Sequence, residues 1–174
     1  MREKIMGVIP LIVALMFVVA LGAYSSPSYA AQATQTVTVT VPQAIAIEVD
    51  NVDNWVVAAG ATNTSENFTV KNRGNVKIDL YIKANSAAFT STSGATDTIP
   101  ITEFYIFSKD ANNYQNIVQT YQKIYTNMNK AAQGSGTPTI WSTTLKLTVP
   151  AYTEDGTYTI TNTYAAVKTG GIAP

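Results

Sequence analysis

Residues 36–41 read Thr-Val-Thr-Val-Thr-Val, and the strict alternation puts Val37, Val39 and Val41 on one side of an extended chain and Thr36, Thr38 and Thr40 on the other. A period of two belongs to a half-buried strand and not to a helix. Pro42 removes a backbone donor, after which Ile45, Ile47 and Val49 resume the same odd-numbered apolar face. The pattern gives two strands in line, joined by a kink. A hairpin would need a reversal of the Asn-Gly kind, which Pro42-Gln43 does not supply. Residues 31–41 therefore have no strand beside them in sequence to pair with. Their partner must come from later in the chain or from another molecule.

The start of the chain indicates where this ribbon is delivered. Arg2 and Lys4 precede a long apolar run from Ile5 to Ala23, and Ser28-Tyr29-Ala30 places small residues where a signal peptidase reads. Cleavage between Ala30 and Ala31 is the expectation, giving an extracellular protein with no stable membrane anchor after processing. Two other readings stay open. The apolar run is nearly long enough to span a bilayer as an uncleaved anchor. Lys4-Ile5-Met6-Gly7 also looks like the processing site of archaeal type IV pilins and archaellins, although residues 25–28, with Pro27 among serines, break the helix early for such a filament core.

Export usually brings disulfides, yet the chain has no cysteine. Its ten tyrosines and its many Thr, Val and Ile residues favour strands. Charged residues make up 13% of the chain, against about 25% in an ordinary soluble domain. Much of the surface is therefore expected to be covered by other copies or by sugar. The zero formal charge gives no reason to expect nucleic-acid binding.

Taken in order, the body reads as residues 42–168 with a mobile small-residue tail at 169–174. Trp55 follows a polar turn and is expected to plug the core. Residues 66–72, with Phe68 and Val70 inward, and residues 76–83, with Val76, Ile78, Leu80 and Ile82 inward, are expected to pair as a hairpin. Gly74 would provide a positive φ at their turn, and Lys77, Asp79, Tyr81 and Lys83 would face outward. Residues 86–98 read as a loop. Residues 100–107 carry apolar side chains on both faces, as a strand covered on both sides does. Ile117, Tyr121, Ile124, Tyr125 and Met128 make a helical stripe, so residues 110–130 read as a short helix or irregular excursion. Residues 139–149 read as one strand and 157–167 as the last. Seven to nine strands separated by turns, with no alternating helices, give a mainly β fold, an antiparallel β-sandwich of jelly-roll or Ig-like topology with a protruding N-terminal strand.

With no histidine or cysteine, the chain has no Ser-His-Asp triad, no Cys/His pair and no usual zinc site, and its carboxylates are spread over turns. The expectation is a protein that is not an enzyme and has no cofactor or metal. Asp50 and Asp53 with Asn51 and Asn54, or Glu154 with Asp155, offer oxygens to calcium, but an ordinary Asx-rich turn explains them more simply. Asn63-Thr64-Ser65 and Asn67-Phe68-Thr69 are candidate N-glycosylation acceptors at Asn63 and Asn67.

The free ribbon at 31–41 directly after the signal, the following AIAIEV strand and the VKNRGNVKIDLYI segment resemble the archaeal bundling pilins and, more distantly, TasA-type biofilm matrix fibre subunits. The N-terminal ribbon is the specific part of that likeness. It implies donor-strand complementation: the strand Thr36, Val37, Thr38, Val39, Thr40, Val41 of one subunit fills a groove in the next, with Pro42 as hinge. The partners are then copies of the same chain, a homopolymer that bundles laterally and holds cells together. The residues leave two other classes open, a type IV pilin-like or membrane-anchored subunit and a monomeric cell-surface domain binding carbohydrate through Trp55 or Trp141.

Overall fold

The computed structural model describes residues 34–174, so the expected signal segment and the Ala30-Ala31 cleavage position lie outside the described residues. The chain divides into two units, Met1–Thr40 and Val41–Pro174. In the first, residues 34–40 are exposed and carry no strand.

The second unit is built from short strands: β1 (Ile47–Val49), β2 (Thr62–Thr64), β3 (Phe68–Asn72), β4 (Ile78–Ala84), β5 (Ala88–Ser91), β6 (Thr98–Pro100), β7 (Phe104–Ser108), β8 (Asn113–Asn116), β9 (Gln122–Met128), β10 (Thr139–Thr143), β11 (Leu145–Thr148), β12 (Tyr158–Thr159) and β13 (Asn162–Lys168). A single 3-10 turn, Ile101–Glu103, interrupts them between β6 and β7. All pairings are antiparallel and fall into four sheets, ordered β1-β3-β10, β2-β11-β7-β8, β12-β5-β6 and β13-β4-β9. They close round one apolar core containing Val70, Ile78, Leu80, Ile82, Phe104 and Ile106. The fold is a mainly β, antiparallel β-sandwich, as its composition and alternation predict.

The expected hairpin of residues 66–83 is not formed. β3 pairs with β1 and β10, whereas β4 pairs with β13 and β9, so the two strands belong to different sheets. Asn72 makes the chain leave one sheet for the other. Fully buried, it donates from Nδ2 to the carbonyls of Val76 (3.0 Å) and Asn129 (2.9 Å) and accepts the Gly74 N–H at Oδ1 (2.9 Å). Alternation shows that each segment is a strand but not which strand lies beside it.

Gly74 is required for a different reason from the one expected, because its φ is not among the positive values. A Cβ there would lie 2.5 Å from the Ala44 carbonyl and 3.1 Å from the Ala46 nitrogen. The chain entering β1 runs over the glycine, held by hydrogen bonds from Arg73 N to Ala46 O (2.9 Å) and from Asn75 N to Ala44 O (3.1 Å). Glycine is what allows two backbones to approach this closely.

β4 is buried on both faces, contrary to the expected outward set: Asp79 and Tyr81 are 3% and 5% exposed. Its neighbour β9 replaces the expected helix. The Ile124 and Met128 side chains, both fully buried, lie four apart, a spacing that shares one face in a strand as well as in a helix. The β4–β9 pairing shifts register twice, between Ile78 and Leu80, which face Met128 and Tyr125, and between Leu80 and Tyr81, which faces Lys123. At the first shift, a β-bulge, β9 has one extra residue and Asn127 takes a positive φ of 60°. Asp79 fixes the bulge by accepting the Asn127 N–H (3.1 Å) and pairing with Lys123 Nζ (3.0 Å). Burial alone raises the Asp79 carboxyl, but the Asn127 and Lys123 donors outweigh it and hold it below its ordinary value.

Residues 139–149 form two strands instead of one. The chain crosses from the β3 sheet to the β7 sheet at Thr144, whose carbonyl accepts the Phe107 N–H (3.0 Å), while Ser65 Oγ accepts the Leu145 N–H (2.9 Å). The expected loop at 86–98 contains β5, whose Phe89 packs edge-on against Phe104 at 4.9 Å. The doubly apolar strand near residue 104 is β7. Phe104 and Ile106 enter the core, and its outer face is covered by Tyr114 against Phe107 and by Lys146 over the Tyr105 ring.

Candidate functional site

The ribbon and a groove in the body carry the functional argument. Val37, Val39 and Val41 are 72%, 78% and 74% exposed, and among the described residues 36–41 no backbone ladder engages them. The chain becomes fixed immediately afterwards. Asn75 holds the entry with both ends of its side chain, donating from Nδ2 to the Pro42 carbonyl (2.9 Å) and accepting the Ala44 N–H at Oδ1 (2.7 Å). Pro42 therefore stands at the boundary between an exposed apolar ribbon and an anchored body.

β1 is tied down by charge as well as by its ladder. Lys71 Nζ reaches Glu48 (2.8 Å) and Asp50 (3.1 Å), and Arg73 pairs with the other Glu48 oxygen. The Arg73 and Lys71 donors hold the Glu48 carboxyl below its ordinary value, and the Thr69 hydroxyl and Lys71 do the same for Asp50. The Asp50 carboxylate is thus already occupied within the β1–β3 seam. Among the described residues no group of three or more His, Cys, Asp or Glu side chains is gathered.

The body contains a groove of about 870 Å³. Its inner wall is the core itself, including Phe68, Phe89, Ile99, Phe104, Leu145 and Leu147, and two stretches of chain, 49–57 and 156–162, complete the lining. Each stretch includes part of an edge strand. Val49 ends β1; among the described residues β1 pairs only with β3 and β12 only with β5. An edge strand presents unpaired main-chain donors and acceptors. Residues 52–57 carry no strand at all, although Val52, Trp55 and Val57 rest against the core. The groove therefore combines an apolar wall with incompletely paired backbone.

Two of its lining side chains are also incompletely satisfied. Trp55 Nε1 and Asn162 Oδ1 are buried without a hydrogen-bond partner among the described residues. A buried polar group left unpaired costs about 1–3 kcal/mol. The phenols of the lining residues Tyr158 and Tyr164 are both pushed up by burial, the former also by Asp97, Glu154 and Asp155, which keeps both rings neutral.

The remaining expected sites are placed as follows. Asn63 lies in β2 and Asn67 just before β3; both are exposed and line a smaller cavity of about 480 Å³ that shares residues 51–56 with the main groove. Trp55 is a wall of the main groove more than a core plug. Trp141 is 6% exposed and stacked edge-on against Tyr125 at 5.5 Å, so it is a core residue and offers no face to a sugar. Tyr158 and the other groove residues at 156–162 were not legible as a site, because only the fold brings them beside 49–57. No protein-family model matches the chain, and no curated protein matches its sequence.

Proposed function

We propose that the protein is the structural subunit of an extracellular pilus or biofilm-matrix fibre whose copies join by donor-strand complementation, residues 36–41 of one copy filling the groove of the next. The observation that carries this reading is the coexistence in one chain of a valine ribbon left in solvent and a groove walled by the core. A six-residue strand spans about 20 Å at ~3.3 Å per residue. Inserted between edge strands it gains main-chain hydrogen bonds and buries three valines. At ~1.5–3 kcal/mol each, that burial contributes roughly 5–9 kcal/mol before ordering costs. A ribbon on one side of the contact and a groove on the other make it heterologous, so repetition gives a filament and not a closed dimer. The resemblance to the bundling pilins points the same way and adds lateral association between fibres.

Size-exclusion chromatography and negative-stain microscopy of the processed protein test this directly. Filaments are expected from the intact chain and monomers from a chain lacking residues 31–41. Polymerisation that survives the deletion would end the proposal. The mass of the mature N-terminus separates removal of residues 1–30 from cleavage near Gly7 and from a retained anchor.

A further inference from the structure

We infer that the contact between copies has a second, electrostatic part, in which a lysine collar at the root of one ribbon, Lys77, Lys130 and Lys168, docks on an acidic rim of the next copy's groove, Asp97, Glu154 and Asp155. The match of signs fixes the direction in which the ribbon enters. This rests on the donor-strand reading and adds to it the surfaces of the two bodies that meet. The ribbon cannot supply such a preference, because residues 31–47 carry no charged side chain. Any charge that steers insertion has to stand on the bodies. Among the described residues none of these six groups is in a salt bridge, whereas Lys71, Arg73 and Lys123 are each spent on carboxylates of their own chain.

The two patches lie at opposite ends of one long antiparallel pair. β4 and β13 run together from Ile78 beside Lys168 to Ala84 beside Asn162. The pairing continues through the Asn85 N–H on the Thr161 carbonyl (2.9 Å) and through β5 and β12, with Ser91 beside Tyr158, to the Thr92 N–H on the Thr157 carbonyl (2.8 Å). At the first end the Thr169 N–H donates to the Lys77 carbonyl (3.0 Å) and the Ala131 N–H to the Gly74 carbonyl (3.0 Å). These bonds bring three exposed lysines to the turn where the Asn75 N–H holds the Ala44 carbonyl, which is the root of the ribbon. At the other end the Glu154 carboxylate accepts the Thr96 N–H (2.6 Å) and the Asp97 carboxylate accepts the Glu154 N–H (2.8 Å). The Tyr158 hydroxyl donates to the Glu154 carbonyl (3.0 Å), and Tyr158 lines the groove, so the acidic turn stands at the groove's edge. A ribbon that enters from this end brings its own collar against carboxylates. The reverse entry would carry the collar toward the acceptor's own lysines. Opposed charges across an interface speed the productive encounter and reject the like-charged one.

The test is the rate of filament elongation by the full processed chain, followed by light scattering and checked by negative-stain microscopy. Raising salt from about 0.01 to 1 M shortens the Debye length from about 30 to 3 Å and is expected to slow the parent about tenfold. Glu154→Lys with Asp155→Lys, and separately Lys130→Glu with Lys168→Glu, should each slow elongation about tenfold at low salt. A chain carrying all four reversals has opposite signs across the contact again and should return to within about twofold of the parent. That recovery also rules out unfolding as the cause of the loss. Lys83→Glu with Lys109→Glu makes the same change in net charge as the lysine pair but away from both ends, and should leave the rate within about twofold of the parent. Pole reversals that change nothing, a control pair that slows elongation equally, or four reversals no faster than either pair would overturn the collar and spare the donor strand. Absence of filaments from the parent, or their formation by a chain lacking residues 31–41, would overturn both.

Discussion

Residues 36–41 and strand β4 are written in nearly the same code, apolar and polar side chains in alternation, and they meet opposite fates. Every one of Ile78, Leu80 and Ile82 is fully buried, and even Asp79 between them is 3% exposed and doubly engaged. Val37, Val39 and Val41 stand more than 70% exposed. β4 has β13 and β9 on its two sides; the ribbon has no neighbour among the described residues. Alternation thus specifies a strand and a face to bury, while the partner is specified elsewhere, by turns and bulges for β4 and, on our proposal, by a second copy for the ribbon.

The sharpest way to break that contrast is to damage each strand and read both assembly and stability. Val39→Asp should abolish filaments while leaving the unfolding midpoint of the body within about 0.5 kcal/mol of the parent, since it alters a solvent-exposed side chain. Leu80→Ala should do the reverse in kind, costing about 2–5 kcal/mol through the cavity it opens and reducing fibres only in proportion to the folded fraction. A Val39→Asp protein that loses several kcal/mol would mean the ribbon completes its own body, and the two strands would no longer differ.

A smaller effect is expected at the bulge. Asp79→Ala removes the acceptor for the Asn127 N–H and the partner of Lys123. A cost of about 1–3 kcal/mol by denaturant titration is expected, with Lys123 partly rescued by water because its side chain is 39% exposed. Gly74→Ala should cost a comparable amount and should specifically loosen the entry to β1, because the new methyl meets the Ala44 carbonyl. Hydrogen exchange at Arg73 and Asn75, whose amides bond Ala46 and Ala44 across that crossing, would report it. Unchanged protection at both amides would show that the crossing relaxes without cost.

The sandwich class and many of its core residues were legible because they depend on side-chain periodicity within one segment. What was not legible depends on neighbours. Residues 68–83 look like a hairpin because both arms alternate around a glycine, and only the buried Asn72 amide, bonded to Val76 and Asn129, shows that the chain is changing sheets. Ile124 and Met128 imitate a helix because a spacing of four lies on one face of a strand as well as of a helix, and only the pairing with β4 shows which it is. The groove was invisible for the same reason: its two lining stretches are far apart in sequence, and neither has a period.

The mildest prediction concerns how firmly the ribbon's root is held. Glu48 and Asp50 titrate below their ordinary values in the folded chain because Arg73, Lys71 and Thr69 favour their charged forms. A carboxylate whose folded pKa is depressed contributes stability that is complete above its unfolded pKa, about 4, and disappears as pH falls through the folded value. The unfolding midpoint should therefore be flat from pH 8 to about pH 5 and fall below that, with other carboxylates such as Asp79 contributing to the same limb. Lys71→Ala should make the acid limb shallower, since it returns both carboxyls toward their ordinary values, and the change should be small because these groups are solvent-exposed and screened. Added salt should shrink the difference further. Superimposable acid limbs for parent and variant would show that the β1–β3 charges only decorate the seam. The crossing over Gly74 and the Asn75 contacts at Pro42 and Ala44 would then be left as the features that separate an anchored body from an exposed ribbon.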